Sequence, residues 1–407
     1  MSKELKFPEG FLWGASSASH QVEGNNKNDW SEWEKSNHRI NKLHSEGLAE
    51  KYGIENYISD KATDHYNLYK EDFTIAKELG HNATRISIEW SRIEPEEGVF
   101  NEEEINHYKE VVKTLRLLNM EPFVTLWHWP MPLWLSKQGG WESKKTISYF
   151  KRYADKISKA LGEDVKFWLT INEPEVYPPL SYLYDVWPPQ KKNPISFLKV
   201  SWNLIKAHNE VYKIIKKNDP DSKISIAFNL ESYEAVTLLD KFLVPIYSFV
   251  RNKVLINLTK KSLDFIGLNY YFHSRIYFGL KKNITEKKSD FGWDLHPEKI
   301  YDILMLLKKY NKPIYITENG LADADDVHRE WFIIEVLTAI HKAISHGADV
   351  RGYLHWSLTD NFEWASGYWP RFGLVHINYE TLERTIRPSA RFYEKICKNN
   401  TLFSEDN

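Results

Sequence analysis

Short runs of β-branched and aromatic residues return every few tens of residues along the chain, and that recurrence limits the fold more than any other feature. The runs are FLWGASSA near residue 11, ATRISIEW near 83, EPFVTLWHW near 121, VKFWLTINEP near 165, KISIAFNL near 223, LDFIGLNYY near 263, KPIYITENG near 312 and RGYLHWSLTD near 351. Between them lie stretches with helical spacing of apolar residues, such as EEEINHYKEVVKTLRLLNM and TISYFKRYADKISKALG, often preceded by a polar residue suited to capping. Strands that alternate with helices build a parallel sheet, and eight such units are the number that closes into a (β/α)8 TIM barrel, an α/β fold. No Pro/Gly/Ser linker, low-complexity tract or internal repeat divides the 407 residues. The sequence therefore predicts one barrel domain over 1–407, with NNTLFSEDN, about 399–407, as a frayed tail.

In most of these runs the polar residues gather at the C-terminal end, while the run itself is Ile, Val, Phe and Leu. A barrel packs branched apolar side chains inside and presents reactive groups where strands pass into βα loops. Arg85, His128, Trp129, Asn172, Glu173, Asn269, Tyr271, Glu318, Trp356 and Asn361 are thus predicted to converge on one mouth.

Several function classes are disfavoured by composition. With 54 basic and 56 acidic residues the net charge is -2, which offers no overall field for nucleic acid or an anionic membrane, so neither is expected as a partner. Basic pairs such as Lys216-Lys217 and Lys281-Lys282 read as solvated faces. The lone cysteine, Cys397, permits neither an intrachain disulfide nor a thiolate metal cluster, and the 15 histidines show no HxH ligand pair at a strand end. No metal and no cofactor are expected. The start MSKELKFPEGFLWG lacks a signal-like apolar run, and a cytoplasmic location is the expectation. Aromatic residues make up 14% of the chain, and TLWHWP and DNFEWASGYWPRFG set them beside carboxylates and amides, the mixture that suits the apolar face and polar rim of a pyranose.

Cleaving a glycosidic bond requires one group to protonate the departing oxygen and a second carboxylate to meet the anomeric carbon from the other face. Asn172-Glu173-Pro174 ends the fourth predicted strand and Glu318-Asn319-Gly320 the seventh, so each brings one Glu to the mouth. FLWGASSASHQVEG, RISIEWSRIEP, LWHWPMP, TINEP, DFIGLNYY, YITENG and GYLHWSLTDNFEWASGYWPRFGLV, taken together and in order over roughly 7–395, resemble glycoside hydrolase family one.

That resemblance implies a retaining β-glycosidase with Glu173 as acid/base and Glu318 as nucleophile. Arg85 and Tyr271 would hold Glu318 ionised, and repulsion from Glu318 would keep Glu173 protonated. It further implies that Gln21, His128, Trp129, Asn172, Glu363, Trp364 and Phe372 contact the sugar, with Trp356 as stacking floor. Phosphoglycosidases that share the rest of the pattern lack the Glu363-Trp364 pair, so unphosphorylated β-linked glucosides or oligosaccharides are the implied substrates, with galactosides and fucosides admitted to the same site. The chain is short for the family: 272–292 and 321–330 look abbreviated, and the rim they leave is either open or covered by a partner subunit, so a homo-oligomer stays open. A transglycosidase and a catalytically silent carbohydrate-binding barrel are the alternatives.

Overall fold

The structure, a computed structural model, describes residues 3–282, 285 and 287–404. Eight parallel strands close on themselves: β1 (Leu12–Ser16), β2 (Ala83–Ser87), β3 (Glu121–Trp127), β4 (Phe167–Asn172), β5 (Lys223–Ala235), β6 (Ile266–Tyr277), β7 (Ile314–Glu318) and β8 (Val350–Trp356). Each pairs in parallel with its neighbours in chain order, and β8 returns to β1, so the barrel has no open edge. These are the eight strands read from the sequence.

Helices outside the barrel include α1 (His65–Glu78), α2 (Glu102–Leu117), α3 (Lys145–Leu161), α4 (Pro194–Asn218), α5 (Val254–Thr259), α6 (Ile300–Leu307), α7 (Arg329–Ser345) and α8 (Pro388–Asn399). Their starts follow local chemistry. Asn101 accepts from the backbone N–H groups of Glu103 and Glu104 at the head of α2, and three glutamates in its first turn complement the helix dipole. At α4, Asn193 caps and Pro194 occupies the first turn, where its missing N–H is not needed.

Side-chain alternation along the strands grades the barrel interior from apolar to polar. At the N-terminal end Ala83, Phe123, Leu169, Ala227, Phe265, Tyr315 and Leu354 form a closed cluster, with Phe123 and Phe167 stacked at 4.3 Å. Two residues further along the same strands stand Arg85, Thr125 and Thr317, fully or almost fully buried, which begin the polar layer. The apolar floor keeps water out beneath that layer.

One expectation fails. Residues 401–404 are not a frayed end: Thr401–Ser404 pairs antiparallel with Lys3–Lys6, Leu402 opposite Leu5, and Leu402 is fully buried. Asn400 locks the junction, its side chain accepting from the Trp13 indole (2.8 Å) and donating to the Phe7 carbonyl (2.9 Å). Burial of Leu5 and Leu402 together, with partner strands that satisfy each other's backbone, outweighs the polar local composition. Residues 405–407 of that expected tail lie outside the described residues. Among the described residues no helix is long and apolar enough to cross a membrane.

Candidate active site

Glu318 ends β7 at the centre of the mouth. Arg85, fully buried on β2, donates from Nη1 to one Glu318 carboxylate oxygen, and the Tyr271 hydroxyl donates to the other at 2.9 Å. The guanidinium is itself fixed by Thr125 Oγ1 (2.9 Å) and Asn172 Oδ1 (2.7 Å), so its charge sits at one place. Burial raises the Glu318 pKa above its ordinary value, with Arg85 the largest opposing influence and Tyr271 next. Arg85 and Tyr271, the two partners expected from the sequence, both contact Glu318, but desolvation, which the sequence argument omitted, outweighs them.

Glu173 follows β4 with a positive φ of 44°, a conformation that costs an ordinary residue about 1 to 3 kcal/mol and aims the side chain back over the mouth. One carboxyl oxygen accepts from Asn269 Nδ2 (2.8 Å) and Asn229 Nδ2 (3.0 Å), both neutral amides. Its pKa is pushed up to about 7, first by burial and second by the charge of Glu318. Repulsion therefore contributes as expected from the sequence, in second place. Two buried carboxyls with different partners result: a fixed cation grips Glu318, and among the described residues the hydrogen bonds to the Glu173 side chain come from amides.

The residues around the pair divide by how many polar atoms remain free. Asn172 accepts from Arg85 and Asn269 at Oδ1, so its NH2 must donate to His128 Nε2 (3.0 Å). His128 is then the tautomer with its proton on Nδ1, and that buried nitrogen has no partner among the described residues. Burial and Arg85 hold the His128 pKa well below the ordinary value, so the ring is a neutral donor. Gln21 donates from Nε2 to Asn361 Oδ1 (2.9 Å), the Phe362 carbonyl (2.8 Å) and Glu363 Oε2 (3.3 Å), which leaves its buried Oε1 unpartnered. Glu363 is half-buried rather than buried, and its pKa is pushed up to about 8, chiefly by desolvation and then by Glu318. An unpartnered donor and an unpartnered acceptor near two carboxyls are what a polyhydroxylated ligand would satisfy.

Aromatic rings form the walls. Trp356 ends β8 with its ring 6.1 Å from His128, and a cis peptide joins it to Ser357. Trp364 stacks on His128 and on His20, each at 5.7 Å, and contacts Trp129 at 4.5 Å. Trp129, with φ 86°, donates its indole N–H to the Asn172 carbonyl (3.0 Å), so it braces Asn172 and has only ring surface left to offer. Phe372 is buried against Phe291 (6.0 Å) and Trp293 (6.4 Å) from the 287–295 loop, and Trp293 in turn meets Tyr271 at 6.3 Å. Gly320 follows Glu318 where a Cβ would lie 1.8 Å from the Trp356 carbonyl oxygen, so only glycine lets β7 and β8 meet at this height.

Sequence reasoning left Asn229, Arg251 and Thr317 out of the site. Asn229 lies past the apolar run KISIAF of β5, where the rule that placed the other mouth residues could have found it. Arg251 orients it, donating from Nη2 to Asn229 Oδ1 at 2.9 Å. Thr317 Oγ1 holds Asn269 Oδ1 at 2.7 Å and so turns the Asn269 amide toward Glu173. Arg251 comes from a turn with no strand-end position, and nothing in the sequence marks it.

Comparison with known proteins agrees with this geometry. The profile of glycosyl hydrolase family 1 matches residues 3–239 and 250–402. Beta-glucosidase A of Acetivibrio thermocellus is 35% identical over 98% of this chain and 100% of its own length, and beta-galactosidase of Pyrococcus woesei is 30% identical over 97% of each. A beta-glycosidase from Pyrococcus horikoshii superposes with a TM-score of 0.88 at 36% identity, covering 98% of this chain and 96% of the other. The beta-glucosidase from Thermotoga maritima in complex with deoxynojirimycin gives 0.86 at 32% identity, covering 98% and 99%.

Proposed function

Given that the chain belongs to glycosyl hydrolase family 1 and is thus an O-glycosyl hydrolase, we propose that it cleaves unphosphorylated β-glucosides, and β-galactosides and β-fucosides in the same site, with Glu318 as nucleophile and Glu173 as acid/base. The observation that carries this reading is the asymmetry of the carboxyl pair: a guanidinium on Glu318, neutral amides on Glu173.

Glu318, favoured as the anion by Arg85, attacks the anomeric carbon while the bond to the aglycone breaks, and the departing oxygen takes the proton of Glu173. The glycosyl ester removes the Glu318 charge that had helped to raise the Glu173 pKa. Glu173 then ionises more readily and accepts a proton from water, whose oxygen bonds the anomeric carbon as the ester breaks. Two inversions give net retention. The free His128 Nδ1–H and Gln21 Oε1, with Glu363, supply donors and acceptors for ring hydroxyls, and Trp356 and Trp364 supply the apolar walls. A 6-phosphate dianion would meet Glu363, a carboxyl already close enough to Glu318 and Glu173 to feel their charges and one that offers no positive charge to pair with it. The buried, free Cys397 suits the reducing interior of a cell, and we place the enzyme in the cytoplasm.

The test is to treat the protein with a 2-deoxy-2-fluoro-β-glucoside bearing a good leaving group and locate the trapped sugar by peptide mass spectrometry. The ester is expected on Glu318. A label on any other carboxylate, in enzyme that turns over an aryl β-glucoside, refutes the assignment.

A further inference from the structure

We propose that Arg251 is a positioning residue for the acid step: from one side, with Arg85 on the other, it sets the direction of two amides so that the proton of Glu173 is carried on Oε2 alone. This rests on the reading of Glu173 as acid/base. A guanidinium has donors and no acceptor, so an amide atom that faces one must be the oxygen. Arg85 donates from Nη2 to Asn172 Oδ1 (2.7 Å), which makes that oxygen the acceptor for Asn269 Nδ2 (3.2 Å), and the same Nδ2 meets Glu173 Oε1 at 2.8 Å. From the opposite side Arg251 donates from Nη2 to Asn229 Oδ1 (2.9 Å), which turns Asn229 Nδ2 onto Glu173 Oε1 at 3.0 Å. Both amides therefore donate to one oxygen.

Two donors on Oε1 favour it as the carbonyl oxygen of the acid and as the charged oxygen of the carboxylate, and so leave the proton to Oε2. No hydrogen bond among the described residues reaches Oε2. As the glycosidic bond breaks, its electron pair stays on the departing oxygen, which takes the proton from Oε2 while Glu318 bonds the anomeric carbon. Were the Asn229 amide to turn over, its oxygen would face Oε1 and accept a proton there, on the oxygen that the two amides enclose.

The two amides are not equally secured. Asn269 is held at both ends, by the Thr317 hydroxyl on Oδ1 (2.7 Å) and by Asn172 on Nδ2, whereas among the described residues only Arg251 meets the Asn229 side-chain oxygen. Arg251 is built for the task. It lies in the π turn Phe249–Lys253 that follows the helix Asp240–Ser248, its Nε is 3.9 Å from Glu231 Oε2 on β5, and its Nη1 donates to the carbonyl of Glu175, two residues past Glu173, at 3.3 Å. One guanidinium thus spans the loop that carries the acid and the amide that directs its proton.

The test measures kcat/KM of the full protein and its variants on aryl and alkyl β-glucosides of increasing leaving-group pKa. A misplaced proton matters where the departing oxygen needs one, so Arg251→Met should lose about tenfold on an alkyl glucoside and clearly less on a dinitrophenyl glucoside. Asn229→Ala removes the amide that can turn over, and in that background Arg251→Met should cause no further loss on the alkyl glucoside. Equal losses across the series, or losses that multiply in the double variant, would mean that Arg251 only supports the fold, and overturn the proposal. Asn229→Asp offers Oε1 an acceptor whichever way it turns and should steepen the same dependence; should Arg251→Met not fold, an unchanged dependence in Asn229→Asp overturns the proposal. Glu173→Ala, run beside them, separates the two levels. If its rate falls steeply with leaving-group pKa and that of Arg251→Met does not, the role of Arg251 alone is refuted; if Glu173→Ala shows no such dependence, the acid/base assignment fails and the role of Arg251 with it.

Discussion

Replacing Tyr271 by Phe removes one hydroxyl, keeps the ring against Trp293, and deletes the 2.9 Å hydrogen bond to Glu318 Oε2. A hydrogen bond to a charged group is worth about 1.5 to 3 kcal/mol and one to a neutral group about 0.5 to 1.5, so the carboxylate loses about 1 to 1.5 kcal/mol more than the carboxylic acid does. At 1.36 kcal/mol per unit this raises the Glu318 pKa by about one unit. The bond favours the ionised form, so its loss moves the pKa upward; Arg85 still grips the other oxygen. The assay is the pH dependence of kcat/KM on an aryl β-glucoside, which reports the free enzyme. The acid limb, where Glu318 loses its proton, should rise by about one unit. The alkaline limb, near the value of about 7 held by Glu173, should stay, because Glu318 is ionised there in both proteins. The bell narrows from the acid side alone. An acid limb that stays fixed or moves down would falsify the reasoning, and a matching shift of both limbs would mean that Tyr271 does not act on Glu318 selectively.

Azide separates the two carboxyls. With an activated glucoside Glu173→Ala should be accelerated and give the β-glycosyl azide, whereas Glu318→Ala should give the α anomer; proton NMR of the products reads the outcome, and opposite anomers reverse the assignment. For Glu363→Ala, since the carboxyl is pushed up to about 8 and is largely protonated at neutral pH, the lower end of the hydrogen-bond range applies. kcat/KM for a glucoside should fall about tenfold, and for a fucoside, which lacks the 6-hydroxyl, by less. Equal losses on both substrates would remove Glu363 from the 6-position. Phe123→Ala opens a cavity beneath the mouth in the cluster with Phe167, Phe265 and Tyr315. Unfolding stability should drop by about 3 to 5 kcal/mol in denaturant titration with kcat little changed, and a loss of activity without a loss of stability would place the floor in the catalytic machinery.

Much of this molecule is determined by its sequence alone. Strand period, cap residues and the polar ends of the apolar runs are local signals, and they sufficed for a closed (β/α)8 barrel with Glu173 and Glu318 at one mouth. The seven motifs carried the family, and they contain residues whose geometry the site uses, such as Gly320 against the Trp356 carbonyl.

Tertiary structure decided what depends on distance and burial, and those are sums over residues far apart in the chain. Desolvation, which no local pattern reports, dominates the pKa values of Glu173, Glu318 and Glu363. Arg251 reaches Asn229 from a turn 22 residues away, and the end of the chain becomes a strand because Leu402 meets Leu5. The same holds for charge. Composition sums cations and anions over the whole chain, whereas the fold buries Asp240, whose carboxylate accepts from the backbone N–H groups of Phe278 and Gly279, an arrangement fixed only when the helix and the turn pack together.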